Sequence, residues 1–264
     1  MPDRLSQVQH SPPRQAPLTL LAIGLTSGLL SGLFGVGGGV LIVPALVLLA
    51  GFGQKLAHGT SLAAVVPISV TGAAGYALAG QVNWPVAGLL AAGAMAGAVV
   101  GTWLLHVLPV RWLRYGFAAL LLLTAVRLGL ETPERLVATD LGWGDTLLML
   151  GLGVLVGTLS GLFGVGGGIV MVPAMILLFG FSDVVAKGTS LLVVIPTGII
   201  ATVQNLRRGN TDLRAAGLLG VAGIVSAYAG VRLALLLPPR LSVLLFAALL
   251  AFTAFRMVTA KKES

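Results

Sequence analysis

The 264-residue chain contains no cysteine. Disulfides, thiol redox chemistry and cysteine-based metal sites are therefore excluded. Charge is almost as scarce. Charged residues make up 9% of the chain, against about 25% in ordinary soluble domains. A water-soluble protein of this size could not cover its surface with so few charges. That excludes a cytosolic enzyme, a nucleic-acid binder and a disordered chain. Acidic residues are the rarest charges, eight in all: Asp3, Glu131, Glu134, Asp140, Asp145, Asp183, Asp212 and Glu263. All eight fall in tails or loops between the apolar segments read below. Proton and cation carriers place such groups inside the membrane. Their absence there argues against a cation substrate and a carboxylate proton relay, and it suits an anion.

What is abundant is apolar residues, 57% of the chain, and glycine, with 37 copies. The formal net charge of +8 comes from 16 Lys and Arg scattered singly between apolar runs. That pattern reads as basic cytoplasmic loops rather than a nucleic-acid surface. No Asp, Glu, Lys or Arg occurs in residues 15–54, 56–110, 146–182, 188–206, 215–231 or 241–255. A hydrocarbon core of about 30 Å needs roughly 20 residues of helix. Only helices or closed barrels cross it, since every backbone amide must be paired internally. These runs are too continuous for alternating barrel strands. The expected fold is an all-α polytopic membrane protein.

Apolar segments are expected near 18–35, 38–53, 60–79, 85–107 and 112–130, then near 146–164, 167–181, 188–206, 214–236 and 241–258. The organisation follows: a cytoplasmic, disordered tail at 1–17, a first transmembrane repeat at 18–130, a polar linker at 131–145, a second repeat at 146–258, and a tail at 259–264. The leading tail lacks the early apolar stretch of a signal peptide.

Ser31 begins SGLFGVGGGVLIVPALVLLAGFGQKLAHGTSLAAVVP, and Ser160 begins SGLFGVGGGIVMVPAMILLFGFSDVVAKGTSLLVVIP, a gapless match at an offset of 129 residues. Chance does not produce this, so the two halves are homologous. Downstream, Gly93, Gly97 and Gly101 align with Ala222, Ser226 and Gly230. That small-xxx-small series reads as close helix packing in lipid. Loop charges then bear on orientation. The loop at 80–84 has no basic residue, whereas its counterpart at 207–214 has three. Parallel halves would put both on one side, so the positive-inside rule favours inverted repeats of about five helical segments each. Five crossings per half place eleven basic residues inside and four outside. The alternative, four spans per half in parallel, scores ten against five. Both place the two termini in the cytoplasm.

The short segments 38–53 and 167–181 follow glycine turns, Gly35-Val36-Gly37-Gly38-Gly39 and Gly164-Val165-Gly166-Gly167-Gly168. Paired, Gly-interrupted short segments in corresponding halves are a sequence pointer to a transporter binding site. Glycines let backbone approach a ligand, and a helix starting after the turn aims free amides and its positive dipole end at it. The turns are expected to dip below the membrane surface and to favour an anion. A tight hairpin between packed helices is the plain alternative. A P-loop is excluded, because GVGGG has no following Lys-Ser/Thr and no strand–helix context.

A second paired element is Lys55-Leu56-Ala57-His58-Gly59-Thr60-Ser61, matched by residues 184–190, where Lys187 stands in place of His58. Thr60-Ser61 and Thr189-Ser190 precede apolar runs and look like helix N-caps. The basic residue before each could attract an anion or simply set topology. Gln204 and Asn205 end a segment opposite Gly75-Tyr76 of the first half. They are candidates for substrate contact, although inter-helix hydrogen bonding is the favoured role.

The doubled GLFGVGGG…VP followed by (H/K)GTS closely resembles the TauE/SafE family of sulfite and organosulfonate permeases, the sulfite exporter family. The resemblance spans roughly residues 18–258. It implies an inner-membrane transporter of duplicated halves that handles small sulfur-containing anions such as sulfite or organosulfonates. The matching residues are Gly35 to Gly39, Pro44, Thr60, Ser61, Gly164 to Gly168, Pro173, Thr189 and Ser190, with Lys187 at the usual basic position of the second half. His58 departs from a symmetric two-lysine site.

The expectation is a secondary transporter of small oxyanions, with no cofactor, no metal and no nucleic-acid partner. Its partners are the anionic substrate, the lipid bilayer and, compatibly with the sequence, further copies in a homo-oligomer. An intramembrane enzyme needs a nucleophile and base in contact; His58 and His106 occur only in the first half, with no GxSG sequence to pair with them. A non-transporting assembly or scaffold protein is the alternative function.

Overall fold

The computed structural model describes residues 17–107, 143–164 and 166–259, with isolated positions between 115 and 126. The segment expected at 112–130, most of the linker, both tails and Val165 lie outside the described residues. Nine helices are described: α1 (Pro17–Phe34), α2 (Gly39–Ala50), α3 (Gln54–Leu78), α4 (Trp84–Val107), α5 (Trp143–Phe163), α6 (Gly168–Phe179), α7 (Asp183–Arg207), α8 (Leu213–Leu236) and α9 (Pro239–Thr259). Six of them, α1, α3, α4, α5, α7 and α8, are long and apolar enough to cross a membrane. The all-α membrane architecture expected from the charge gaps is what the chain adopts.

α2 and α6 have 12 residues each, so each rises only about 18 Å and cannot span a core of about 30 Å. Both begin on a left-handed glycine, Gly38 (φ 83°) and Gly167 (φ 80°), and end on another, Gly51 and Gly180. The latter donate their amides to Leu46 O and Met175 O. A side chain at φ near +80° strains the backbone, which explains why glycine occupies these positions in both halves.

Two expectations fail at the starts of α3 and α7. The helices begin at Gln54 and Asp183, five or six residues earlier than the apolar pattern places them. Thr60-Ser61 and Thr189-Ser190 are therefore inside the helices and are not N-caps. Extended Gly53 and Ser182 hold the cap positions. The same shift moves Asp183 from a loop into the first turn of α7, where it is buried, so the expectation that no carboxylate lies within a span, and with it the argument against a carboxylate proton relay, fails at this residue. Lys187 moves inside with it, so it is no longer a loop charge that sets topology.

Small residues dictate the packing. A Cβ added at Gly97 or Gly101 of α4 would collide with the carbonyl oxygens of Val154 and Thr158 on α5. One added at Gly24, Gly28 or Gly32 of α1 would collide with the backbone of α8 between Leu219 and Val231. Residue numbers rise together along each pair, so α4 runs parallel to α5 and α1 runs parallel to α8. α3 joins α1 and α8, and α7 joins α4 and α5. The result is two three-helix groups, α1/α3/α8 and α4/α5/α7, each containing helices from both halves of the chain.

α3 and α7 face each other at the centre. Thr60, near the start of α3, accepts a hydrogen bond from the amide of Asp212, beyond the end of α7 (3.0 Å). Thr189, near the start of α7, accepts one from the amide of Asn83, beyond the end of α3 (3.0 Å). The two central helices therefore run antiparallel. Gly59 and Gly188 serve the same joints: a Cβ at Gly59 would sit 2.9 Å from Thr211 Oγ1, and one at Gly188 would sit 2.7 Å from Tyr76 Cβ.

Candidate functional site

The two glycine turns meet where α3 and α7 cross. Each helix has 25 residues and rises about 37 Å, and the contact falls near the middle of both. A Cβ at Gly37 would lie 2.9 Å from Val65 Cγ1 and 3.2 Å from Val194 Cγ1; one at Gly166 would lie 3.2 and 3.1 Å from the same two atoms. Val65 and Val194 are themselves 129 positions apart. The turns also touch each other. A Cβ at Gly168 would be 2.5 Å from Gly35 O and 2.7 Å from Val36 Cα, and one at Gly166 would be 3.5 Å from Val36 O. The turns thus lie midway along the two central helices. Pro67 and Pro196 lie just past the crossing. Each removes one helical amide bond, leaving the carbonyls of Ala63 and Leu192 without that partner.

Each turn is faced by the basic position of the opposite half. Gly164 packs on His58, where a Cβ would fall 2.7 Å from Nδ1, and Gly35 packs on Lys187, where it would fall 2.5 Å from the lysine Cα. Ser61 donates a hydrogen bond to Gly164 O at 3.0 Å. Ser190, its counterpart, has Oγ 3.0 Å from a Cβ at Gly168. Neither ring nitrogen of His58 reaches a protein partner with hydrogen-bond geometry, although the Phe163 backbone lies close to the ring.

Around the turns is a set of buried hydroxyls without protein hydrogen-bond partners: Ser27, Ser31, Ser69, Ser160 and Ser190. Ser69 Oγ lies 3.3 Å from a Cβ at Gly37, Ser27 borders Gly38, and Ser160 borders Gly167. A buried polar group left unpaired costs about 1–3 kcal/mol, and such groups in a native structure call for an explanation by water, ion or ligand. Short helices also place unpaired amides here, because the first N–H groups of α2 and α6 have no intrahelical acceptor. The locus is therefore polar, uncharged in its first half and rich in donors.

It is also closed. Gly35 to Gly39, Gly164 and Gly166 to Gly168 are all buried. None of the turn glycines lines the cavities of about 570, 400 and 420 Å³, although the 400 Å³ one reaches Ser27, Leu41 and Pro44 beside the first turn.

Lys187 is fully buried and forms an ion pair with Asp183 (Nζ to Oδ2, 2.7 Å). It also donates to Ser242 Oγ on α9 and stands 5.9 Å from the centroid of the Phe34 ring. Phe34 in turn stacks on Phe246 at 5.3 Å. Sequence reading missed Asp183 as a site residue. Its signal was the four-residue spacing to Lys187, which pairs side chains only once the helix is known to start early enough. Ser242 carried no signal, because it arrives from a distant helix.

The remaining candidates lie apart from the turns. Thr60 and Thr189 hold loops, as described above. Gln204 pairs with Thr102 on α4. The Asn205 side chain donates to Ala201 O at 2.8 Å, and the Asn205 backbone carbonyl accepts the amides of Arg208 and Asn210. Both sit near the end of α7, about 15 Å along the helix from the crossing. Tyr76, opposite Asn205 in the repeat, donates to Gly32 O at 2.8 Å.

Long apolar helices with a glycine-interrupted short segment in each half are the pattern of polytopic membrane transporters. Comparison with known proteins then places the chain. The family described as "Sulfite exporter TauE/SafE" matches residues 3–128 and 149–264, and the chain belongs to it. It is 27% identical over 216 residues to the probable membrane transporter protein YunE of Bacillus subtilis (strain 168), covering 73% of this chain and 79% of the relative. A probable membrane transporter protein of Xylella fastidiosa (strain 9a5c) is 29% identical over 226 residues, 83% of this chain and 85% of the relative. YjnA of Bacillus subtilis (strain 168), also a probable membrane transporter protein, is 26% identical over 254 residues, 91% of this chain and 99% of the relative. No solved structure matches the chain.

Proposed function

We propose that this membrane transporter is a secondary carrier of small sulfur-containing oxyanions, such as sulfite or organosulfonates, across the inner membrane. Both termini are cytoplasmic in this reading. The two halves are inverted repeats, which the antiparallel course of α3 and α7 and the loop charges support. The substrate site is the meeting point of the glycine turns, held in an occluded state, with Gly35 to Gly39, Gly164, Gly166 to Gly168, Ser61 and Ser190 around the anion and His58 and Lys187 on either side. One observation carries the reading: two homologous turns converge midway along α3 and α7 among buried hydroxyls that have no protein partner. Hydroxyl and amide donors suit an oxyanion. Selectivity for the sulfur class comes from the family to which the chain belongs. With no nucleotide-binding motif in the sequence, an ion or substrate gradient drives the flux.

The test is radiolabelled or sulfur-detected flux into proteoliposomes, with sulfite, sulfate, thiosulfate, sulfoacetate and taurine supplied in turn. Saturable flux of at least one of them is expected. Absence of flux with all five refutes the reading and favours the alternative, a non-transporting assembly protein whose glycines only pack.

A further inference from the structure

We infer that Asp183 is a proton-coupling site, taking up one proton when an anion engages the glycine turns beside Lys187. The inference rests on the anion reading above and adds the coupling ion to it. Lys187 is fully buried, Asp183 is 6% exposed, and the 2.7 Å pair is neutral as a whole. Lys187 has three N–H donors. Asp183 and Ser242 take two of them. Gly35 packs directly on the lysine backbone, so an anion held by the first turn arrives next to this pair.

The charge balance then decides the chemistry. An anion beside a neutral buried pair leaves one uncompensated negative charge in a low-dielectric interior, which is strongly unfavourable. A proton from solvent, added to the Asp183 carboxylate, restores neutrality. The carboxylic acid releases Lys187, and the ammonium turns its donors to the substrate. No bond is made or broken besides the O–H bond at Asp183 and the hydrogen bonds of Lys187. Departure of the anion reverses the exchange. A route for the proton lies close at hand: a cavity of about 420 Å³ lined by Asn83, Trp84, Phe181, Ser182 and Val185 borders the first turn of α7.

Among the described residues, the groups packed on the pair leave Asp183 as the acceptor. α3 presents Tyr76, whose hydroxyl is donated to Gly32 O. α1 presents Phe34 and Gly35, and α9 presents Ser242, while Arg240 at its start is exposed. α6 carries no titratable side chain, and the titratable residue of α4, His106, belongs to the far end of that helix. Asp145, in the first turn of α5, belongs to the Asp183 end of the molecule, because α5 runs parallel to α4, and it serves as the control carboxylate below. The first half has no such device, because Gln54 and His58 stand where the second half has Asp183 and Lys187.

The experiment uses the full chain in detergent. Proton uptake is measured in weakly buffered solution on adding a singly charged organosulfonate, methanesulfonate or isethionate, whose conjugate acid is too strong to take protons near neutral pH. About one proton per anion bound is expected, and the apparent Kd rises about tenfold per pH unit across the uptake range. In Asp183→Asn the uptake vanishes and the Kd no longer depends on pH. In Asp145→Asn the uptake per anion bound persists, which separates Asp183 from the other carboxylate at this end of the molecule and stands as evidence if Asp183→Asn does not fold. Binding without proton uptake in the unmodified protein overturns the inference while leaving the anion reading intact. So does uptake that survives Asp183→Asn or disappears in Asp145→Asn. Failure of every anion in the panel to bind overturns both.

Discussion

Three glycines with the same backbone handedness form a graded test of how tightly the first turn is engaged. Gly80, in the loop after α3, has φ +69° and nothing within 4 Å of an added Cβ. Gly80→Ala therefore meets only the left-handed backbone penalty, about 1–2 kcal/mol. Gly37 has φ +78° with Val65 and Val194 methyl groups at 2.9 and 3.2 Å, which side-chain movement can partly relieve. Gly35 has φ +71° with Lys187 Cα at 2.5 Å. Carbon atoms in good contact stand about 3.5–4.0 Å apart, so the shortfall is roughly 1 Å, and the obstacle is backbone that cannot swing aside. Overpacking of that kind costs about 1–3 kcal/mol, giving Gly35→Ala a total near 2–5 kcal/mol. On a scale of roughly 2–4 °C per kcal/mol, thermal melting in detergent followed by size-exclusion fluorescence resolves the series. The expected order of melting temperature is Gly80→Ala, then Gly37→Ala, then Gly35→Ala as the lowest. A Gly35→Ala protein that melts no lower than Gly80→Ala refutes the argument that the turn is pressed onto α7.

Other expectations are briefer. Gly97→Ala, whose Cβ would strike Val154 O, lowers the melting temperature by several degrees, whereas Gly88→Ala on the same helix, with nothing within 4 Å, leaves it within about 1 °C, as alanine favours helix. Tyr76→Phe leaves Gly32 O unpaired in the interior and costs about 1–3 kcal/mol by the same melting assay. Lys187→Met strands the Asp183 charge and costs about 3–5 kcal/mol, while the double variant with Asp183→Asn recovers most of that loss; equal destabilisation by the single and double variants contradicts a buried pair.

The long spans were readable because lipid imposes a simple demand: an uninterrupted apolar run with its amides paired internally. The glycine turns were readable for a different reason, since three left-handed positions in five residues admit little else. The starts of α3 and α7 were not. Lys55, His58 and Thr60 look like a polar loop in one dimension. In three dimensions Thr60 and Thr189 hold the loops of the opposing group, so polarity there reflects a joint rather than water. The buried Asp183–Lys187 pair was hidden by the same misplacement. Which apolar face meets which was also illegible, because a periodic pattern names a buried stripe without naming its partner. The association of α1 with α8 and of α4 with α5 emerges only from the close approach of their glycines and carbonyls.

That exchange of helices has a consequence for how the protein is made. When α1 enters the bilayer, the surface it must eventually cover, α8, has not yet been synthesised. Its glycine-lined stripe therefore waits against lipid or a chaperone until almost the whole polypeptide has emerged from the ribosome. Neither half is a self-sufficient building block, and a chain severed in the linker should still be held together, each fragment completing the other like interlocked hands.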